Sequence, residues 1–275
     1  MNISQLKDLK NKRKITMLTA YDFATANLVE RAGIDIILIG DSLANVVLGL
    51  DSTTQVGMPE MLHHTRAVRR GAPNSLLIGD MPYSAYQVDP NQATANALQF
   101  IEAGCAGVKL EWFPGCADVA TELLAAKIPV MGHIGLTPQT AEKLGGFKCR
   151  GKDAAGALKL IQEASLLEKL GCFAIVLECV PDEIAALITK KLSIPTIGIG
   201  AGVHCDGQVL VINDLLGLFE RHTPKFVKKY AQLSQDIFKA ITDFKTEVSL
   251  GKFPGPQHSF TITEEELKKI IEHEP

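Results

Sequence analysis

Residues 107–135 read GVKLEWFPGCADVATELLAAKIPVMGHIG, and the order of apolar and amphipathic segments in them indicates the fold class. A short apolar run at 107–112 is followed by an amphipathic segment at 117–127 and by a second apolar run at 128–135. Nearly continuous apolarity in the two runs indicates strands buried on both faces, as in a parallel sheet covered by helices. The stretch therefore predicts one β–α–β unit.

The same alternation recurs from Ile15 to about residue 220. The strand candidates are ITMLTAYD (15–22), IDIILIGDS (34–42), SLLIGDMP (75–82), GVKLEW (107–112), IPVMGHIG (128–135), FAIVLECV (173–180), IPTIGIGAG (194–202) and GQVLVIND (207–214). The helix candidates are ATANLVERAG (24–33), PEMLHHTRAVRRG (59–71), PNQATANALQFIEAG (90–104), ADVATELLAAK (117–127), KDAAGALKLIQEASLLEKLG (152–171) and DEIAALITKKL (182–192). Eight such strands predict an α/β fold, a closed (β/α)8 TIM barrel.

The length and the C-terminal pattern set the domain organisation. A chain of 275 residues with 46% hydrophobic residues suits one domain with one large core, and no Pro- or Ser-rich linker divides it. We expect residues 1–275 to form a single barrel domain with a C-terminal helix and tail at about 225–275. A long closing helix is predicted from Lys225 to about Leu250, followed by an extended segment and a short charged helix.

Charge and composition exclude several classes of partner. The formal net charge is −3, and basic and acidic residues are mixed along the chain, which argues against nucleic acid and anionic membranes. Charges scattered through the first 18 residues disfavour a signal peptide, and no stretch approaches the ~20 apolar residues of a membrane span. We therefore expect a cytoplasmic protein. The six cysteines form no CxxC pair, so we expect reduced, buried thiols.

Ionisable residues end five consecutive predicted strands. They are Asp41, Asp80, Glu111, His133 and Glu178, on strands 2 to 6. The carboxyl ends of barrel strands form one mouth, where the active sites of such barrels lie. An acid after a strand is often only the N-cap of the next helix, which explains one such residue more easily than five. The set predicts an active site.

Carboxylates crowded into one mouth repel each other, and this repulsion raises their pKa values unless a cation or shared protons neutralise them. Oxygen ligands suit Mg²⁺ first and Mn²⁺ next. Lys109 lies two residues before Glu111, so both side chains point into the barrel. Lys109 is either part of a structural ion pair or a charge that holds a substrate carboxylate or an enolate oxygen. Ser42 is either a hydrogen-bond donor to substrate or a helix cap.

Two weaker signals are assigned no chemistry. The GIGAG at 198–202 gives only GxGxG, with Val203 where a dinucleotide fingerprint needs a small residue, so a tight turn or a close backbone approach is favoured. His63 and His64 fall on a predicted helix, where packing or solvent exposure is the default.

Ten motifs between about residue 19 and residue 212 carry a resemblance to a known family. They are TAYD, IGDSLANVVLG, MPEMLHHTRAVRRGAPN, GDMPY, AGVKLE, GHIGLTPQ, GGFKCRG, VLECVP, IPTIGIGAG and DGQVLV, and PGPQHSF extends the match. Together they resemble the ketopantoate hydroxymethyltransferases, also called 3-methyl-2-oxobutanoate hydroxymethyltransferases. The chain differs from the family pattern at residues 112–114, where Trp-Phe-Pro stands in place of a pair of glycines, and in a longer tail beyond Phe260.

The resemblance implies a (β/α)8 barrel that binds one Mg²⁺ per subunit and uses 5,10-methylenetetrahydrofolate to hydroxymethylate 3-methyl-2-oxobutanoate. The product is 2-dehydropantoate (ketopantoate), in pantothenate and coenzyme A biosynthesis. The partners implied are the 2-oxo acid, the folate and further copies of the chain, since family members form homo-oligomers, often decamers. The residues implied are Asp41, Asp80 and Glu111 for the metal, Asp41, Ser42, Asp80 and Lys109 for the substrate, Glu178 as proton acceptor, and His133 in the mouth without an assigned role.

Three other functions remain open from the residues alone. A Schiff-base aldolase would use Lys109 as nucleophile, although nearby carboxylates would raise its pKa and oppose that role. A metal-dependent lyase would act on phosphoenolpyruvate-like or isocitrate-like substrates without folate. A catalytically silent protein would bind an oxo acid only, although the presence of all three acids and of Glu178 argues against it.

Overall fold

Eight parallel strands close into a barrel in the computed structural model, which describes residues 1–87, 89–141, 146, 148–221 and 223–273. The strands are β1 (Ile15–Thr19), β2 (Ile36–Ile39), β3 (Leu76–Asp80), β4 (Gly107–Glu111), β5 (Val130–Gly135), β6 (Ala174–Glu178), β7 (Thr196–Ile199) and β8 (Gly207–Leu210). Each strand pairs with its sequence neighbours, and β1 also pairs with β8. The predicted single-domain (β/α)8 barrel is confirmed. Residues 145 and 147 of the motif GGFKCRG lie outside the described residues.

The described residues also form α-helices, most of which pack on the outside of this barrel. They are α1 (Ile3–Lys7), α2 (Phe23–Arg31), α3 (Leu43–Val46), α4 (Met58–Gly71), α5 (Tyr83–Tyr86), α6 (Pro90–Glu102), α7 (Cys116–Ala125), α8 (Ala154–Leu170), α9 (Asp182–Lys191), α10 (Ile212–Leu215), α11 (Leu233–Ser249) and α12 (Glu264–Ile271). Side-chain caps start several of them: Asp22, Asp89 and Asp153 accept backbone N–H bonds in the first turns of α2, α6 and α8. Within the described residues, no helix has both the length and the apolarity to cross a bilayer.

Apolar side chains fill the barrel interior towards the amino ends of the strands. Met17, Ile36, Ile78, Met131 and Ile197 belong to one buried cluster there. Full burial of such a side chain contributes about 1.5–3 kcal/mol to stability. The interior is therefore a packed core, and polar side chains occupy only the carboxyl end.

The outer wall is incompletely covered where β8 meets β1. Thr16 and Gln208 are paired across these strands, and both are exposed, whereas the outward residues Ile37 of β2 and Leu77 of β3 are fully buried. The connection between β7 and β8, residues 200–206, contains no helix. Only the four-residue α10 directly follows β8.

The predicted long helix is present and ends next to the predicted residue Leu250, but it begins later than predicted and does not close the barrel. The helix predicted from Lys225 begins at Leu233, and none of its residues is buried against the barrel. The predicted short charged helix is present as α12. The six cysteines are all free thiols, as expected, but Cys149 and Cys179 are only half-buried.

Candidate active site

The five strand ends converge on one cavity of about 610 Å³ at the carboxyl end of the barrel. The pairing register places Asp80 beside Lys109 and Glu111 beside His133. The cavity is lined by every residue that the sequence proposed for the site: Asp41, Ser42, Asp80, Lys109, Glu111, His133 and Glu178. The predicted placement of these residues is confirmed, while their individual roles remain predictions.

Lys109 lies at the centre of the acidic group. Its Nζ is 2.7 Å from Oδ1 of Asp80 and 3.9 Å from Oε1 of Glu111. Burial alone would lower the pKa of Lys109, but the carboxylates of Asp80, Glu111 and Asp41 outweigh burial and raise this pKa above its usual value. Lys109 is therefore a fixed ammonium, which disfavours the Schiff-base alternative.

His133 connects this cation to Glu178. Its Nδ1 lies 3.3 Å from Nζ of Lys109, and its Nε2 lies 3.3 Å from Oε2 of Glu178, without the alignment of a hydrogen bond. Burial and the charge of Lys109 hold the pKa of His133 well below its usual value, so the ring is neutral. Because an ammonium only donates, Nδ1 is the acceptor and the ring proton is on Nε2, which faces Glu178.

Burial outweighs the charge of Lys109 in setting the pKa values of the acids around it. Burial raises the pKa of Glu178 to about 8 and that of Asp80 to about 7, and it raises the pKa of Glu111 well above its usual value. Lys109 lowers each of these pKa values but does not offset burial. The side chain of Glu178 is 15% exposed, whereas those of Asp80 and Glu111 are 2% and 1% exposed. Glu178 is thus the more accessible base from the cavity.

Gln139 is a site residue that the sequence analysis missed. Its side-chain Nε2 donates to Oδ2 of Asp41 at 2.8 Å, and its backbone N–H donates to Oε2 of Glu111 at 3.0 Å. Its Oε1 accepts a hydrogen bond from the hydroxyl of Tyr86. One residue therefore fixes two of the predicted metal ligands. Its signal was the last letter of the motif GHIGLTPQ.

Residues 112–114, which differ from the family pattern, lie next to the Tyr86–Gln139 hydrogen bond and to His133. The ring of Phe113 packs against the ring of Tyr86, with centroids 5.4 Å apart in an edge-to-face arrangement. The backbone N–H of Trp112 donates to the carbonyl of His133 at 2.8 Å. Phe113 therefore supports Tyr86, and through it Gln139, and none of residues 112–114 lines the cavity.

Ser42 is held by a tyrosine rather than by a helix. Its Oγ lies 2.8 Å from the hydroxyl of Tyr21, and it makes no side-chain cap bond to α3. Ser42 occupies the N-cap position of α3, but its hydroxyl makes no capping bond, so capping does not account for the side chain. Nδ1 of His64 lies 2.6 Å from the carbonyl oxygen of Tyr21, so His64 has a structural partner. This contact is compatible with the absence of a chemical role for His64 in the sequence analysis.

The outer part of the cavity is lined by apolar and basic side chains, whereas the bottom of the cavity is acidic. Leu50, Phe219 and Phe226 contribute apolar walls, and Arg221 and Lys225 contribute cations. Gly200 has a φ of +63°, and a Cβ added there would lie 2.7 Å from the ring of Phe226. Gly200 therefore permits a turn, one of the two alternatives that the sequence favoured over dinucleotide binding, and it also leaves room for the ring of Phe226.

The acidic residues at the bottom of the cavity offer the type of ligand atom that a hard divalent cation prefers. Its donors are carboxylate oxygens, and their surplus negative charge is what a divalent cation neutralises. Among the described residues, however, no three His, Cys, Asp or Glu side chains are already grouped closely enough to hold a metal. Asp80 is instead engaged by Lys109, and Asp41 and Glu111 by Gln139. Assignment of a metal to these acids therefore stays a prediction.

The geometry agrees with comparisons against known proteins. A sequence profile described as Ketopantoate hydroxymethyltransferase matches residues 1–256. The chain belongs to the ketopantoate hydroxymethyltransferase family. A relative from Syntrophomonas wolfei subsp. wolfei, named 3-methyl-2-oxobutanoate hydroxymethyltransferase, is 52% identical over 98% of this chain and 99% of its own. A relative of the same name from Enterococcus faecalis is 52% identical over 95% of each chain.

Solved structures outside the ketopantoate hydroxymethyltransferase family share the fold. A phosphonopyruvate hydrolase in complex with oxalate and Mg²⁺ matches with a TM-score of 0.62 at 15% identity, over 99% of this chain and 96% of that one. A 2,3-dimethylmalate lyase matches with a TM-score of 0.61 at 14% identity, over 98% and 94%. These likenesses show the fold alone. Membership of the ketopantoate hydroxymethyltransferase family confirms the resemblance and the enzyme class that the sequence predicted.

Proposed function

We propose that this protein transfers a hydroxymethyl group from 5,10-methylenetetrahydrofolate to 3-methyl-2-oxobutanoate, giving 2-dehydropantoate for pantothenate and coenzyme A synthesis. The observation that carries the proposal is the buried acidic group around Lys109, with the more exposed Glu178 beside it. Relatives at 52% identity carry the name of this activity. The proposal places the enzyme in the cytoplasm as a homo-oligomer, a decamer by resemblance.

The base of the cavity would bind the 2-oxo acid. Asp41, Asp80 and Glu111 would hold one Mg²⁺ per subunit, and this ion, when bound, supplies Lewis-acid stabilisation of an enolate. Lys109 is a permanent cation that holds a substrate carboxylate or enolate oxygen. Ser42, with its hydroxyl held by Tyr21, is placed to donate a hydrogen bond to the same ligand.

Glu178 would remove the proton from C3 of the oxo acid. Its pKa of about 8 lies near the operating pH, where a general base is most effective. Nε2 of His133 lies 3.3 Å from Oε2 of Glu178, and the neutral ring already carries its proton on this nitrogen, so His133 does not compete with Glu178 for the substrate proton. Glu178 is on this proposal the base, and His133 is a neutral neighbour.

The outer part of the cavity would receive the folate. A cavity of about 610 Å³ is far larger than a small 2-oxo acid requires and lies in the range of cofactor sites. Its apolar walls suit the fused rings of a folate, and Arg221 and Lys225 suit the carboxylates of its glutamate tail. Both ligands then share one mouth.

The proposal is tested by following deuterium exchange at C3 of 3-methyl-2-oxobutanoate, with and without Mg²⁺ and folate. We expect metal-dependent exchange without folate, and product only when folate is added. Turnover of a lyase substrate without folate would support the lyase, and a borohydride-stable adduct at Lys109 would support the aldolase. Tight oxo-acid binding with no exchange at all would identify a silent binding protein.

Substitution of Lys109 by Met is expected to raise the KM for the oxo acid and to lower turnover by roughly 10²–10³-fold, the effect of losing a charge aimed at a developing oxyanion. The methionine retains most of the packing of the buried lysine stem, so the fold is retained. Steady-state kinetics measure both constants. Unchanged KM and turnover would show that Lys109 is only part of a structural ion pair.

Substitution of Arg221 and Lys225 together by Ala is expected to raise the KM for 5,10-methylenetetrahydrofolate by about 10-fold, since two partly solvated ionic contacts contribute about 0.2–1 kcal/mol each. Exchange of the C3 proton with the oxo acid alone serves as the internal reference and is not expected to change. Lys229→Ala, an exposed lysine that does not line the cavity, is the control variant. An equal KM for folate in both variants would show that the folate does not bind in this part of the cavity.

A further inference from the structure

Two of the six cysteines differ from the other four in exposure. Cys149 and Cys179 are half-buried, whereas each of the other four is at most 4% exposed. A thiol buried in apolar surroundings is chemically inert, and the reactive thiols of a protein are those that a small molecule can reach. Cys149 and Cys179 are therefore the candidates for thiol chemistry.

Cys149 and Cys179 are distant along the chain but adjacent in the fold. The backbone N–H of Arg150, the residue after Cys149, donates to the carbonyl oxygen of Cys179 at 2.9 Å. With standard backbone dimensions, this bond keeps the Cα atoms of the two cysteines within about 8 Å of each other. Bonds of this type hold neighbouring strands about 5 Å apart, and a disulfide joins Cα atoms about 4.4–6.8 Å apart. The two backbones are therefore placed at a separation that a disulfide can span.

Cys179 lies beside the proposed catalytic base. It directly follows Glu178 and lines the same cavity. Its φ is +48°, in the left-handed region that residues with a side chain rarely adopt. Conformations of this kind are concentrated at functional sites, and a glycine would adopt this one without strain. The presence of a thiol at this position therefore points to a use for its side chain.

We infer that Cys149 and Cys179 form a site of reversible oxidation, at which a small-molecule disulfide converts the two thiols into a disulfide bridge at the edge of the cavity. The thiolate of Cys149 attacks one sulfur of the reagent RSSR, forms a mixed disulfide and releases RS⁻. The thiolate of Cys179 then attacks the sulfur of Cys149 and expels the second RS⁻. The two protons lost by the cysteines end on two molecules of RSH, so RSSR is reduced as the bridge forms.

The surroundings of Cys179 set the order of these two steps. Burial, Glu178 and Cys149 raise the pKa of Cys179 to about 12, so this thiol is protonated at neutral pH. Since the thiolate is the nucleophile, Cys149 reacts first. Cys179 then attacks within the same molecule, where its high effective concentration offsets its small thiolate fraction. Transient bridges of this kind are the usual form of disulfide in the cytosol.

The bridge would also act on catalysis, and this part of the inference rests on the proposed function. A bridge would tie the residue after Glu178 to the segment 148–150 and so shift the proposed base. Because a displacement of about 1 Å can lower a rate by about 10²-fold, oxidation is expected to slow C3 exchange by roughly 10–10²-fold. Reduction with dithiothreitol is expected to restore the rate.

The first test is a peptide map that does not depend on any activity. The full-length protein is incubated with glutathione disulfide, its free thiols are blocked with N-ethylmaleimide in denaturant, and it is cleaved after glutamate, which separates Cys179 from Cys172. We expect mass spectrometry to find a bridge between the peptides of Cys149 and Cys179, and N-ethylmaleimide on the other four cysteines. A glutathione adduct without a bridge, or N-ethylmaleimide on both residues, would overturn the inference.

The second test compares C3 exchange in two variants before and after glutathione disulfide. Cys149→Ala removes one partner outside the proposed catalytic residues and is expected to keep the wild-type rate both times. Cys105→Ala, which removes a thiol only 4% exposed, is the matched control and is expected to be slowed as the wild type is. Equal slowing of Cys149→Ala and the wild type would overturn the link to catalysis, as would a bridged wild type that exchanges at the full rate. A reduced wild type with no exchange would contradict the proposed function instead, and the peptide map would still decide whether the bridge forms.

Discussion

Glu178→Gln is expected to lose C3 proton exchange and hydroxymethyl transfer together, each by ~10²–10⁴-fold, the usual effect of losing a general base. The amide keeps the size of the carboxylate and a hydrogen-bonding oxygen for Nε2 of His133, but it cannot accept the substrate proton. Oxo-acid binding should survive, because the proposed substrate contacts lie on β3 and β4 and just after β2. Metal affinity should change little for the same reason.

The measurement is C3 exchange in deuterated buffer beside product formation in the full reaction. Glu183→Gln provides a matched control, since it makes the same substitution at an exposed position in the first turn of α9. A Glu178→Gln enzyme that exchanges the proton at the normal rate but forms no product would assign enolisation to another residue. Glu178 would then belong to the folate-dependent step.

Asp80→Ala is expected to weaken Mg²⁺ binding and to lower turnover by on the order of 10³-fold, since an ion that stabilises an enolate supplies several kcal/mol to the transition state. The substitution also deprives Lys109 of its nearest carboxylate, 2.7 Å away, so substrate binding should weaken as well. Glu111→Ala should have a similar effect on the metal. Thermal unfolding should change much less than activity, because these residues form the rim of the site rather than the core.

Calorimetric titration with Mg²⁺ measures the affinity, and steady-state kinetics measure the turnover. Asp118→Ala is the control, because Asp118 is an exposed acid in the first turn of α7, just beyond the strand that carries Glu111. Its loss should cost about 0.3–1 kcal/mol of helix stability and no activity. Full activity of the wild-type enzyme in metal-depleted buffer would contradict the metal assignment.

The fold followed from local pattern because β2 to β7 are buried on both faces and therefore read as nearly continuous apolar runs. Boundaries were less accurate. The first predicted strand extended to residue 22, but β1 ends at Thr19 because Asp22 serves as the N-cap of α2. The helix predicted from Lys225 begins at Leu233 because residues before it run back beside α10 through backbone hydrogen bonds. Such contacts between segments leave no periodic signal.

Some residues of the site could also be predicted from the sequence, and others could not. Asp41, Asp80, Glu111 and Glu178 were predictable because the end of a barrel strand is a position that sequence can locate. Gln139 was not, because its bond to Asp41 joins residues 98 positions apart. Its bond to Tyr86 likewise spans 53 positions. Hydrogen bonds such as those of Gln139 join residues that are close only in the folded barrel, so no spacing along the chain predicts them.

The packed interior beneath the acids also has a consequence for the timing of catalysis. Met17, Ile78 and Met131 close the barrel below the site, so the cavity opens at one end only. Under the proposed reaction the small oxo acid lies deepest and the folate lies above it. The oxo acid must then enter first, and the bound folate blocks its escape. Under the same proposal we expect ketopantoate, formed at the bottom, to leave only after the spent folate, which would make addition and release ordered.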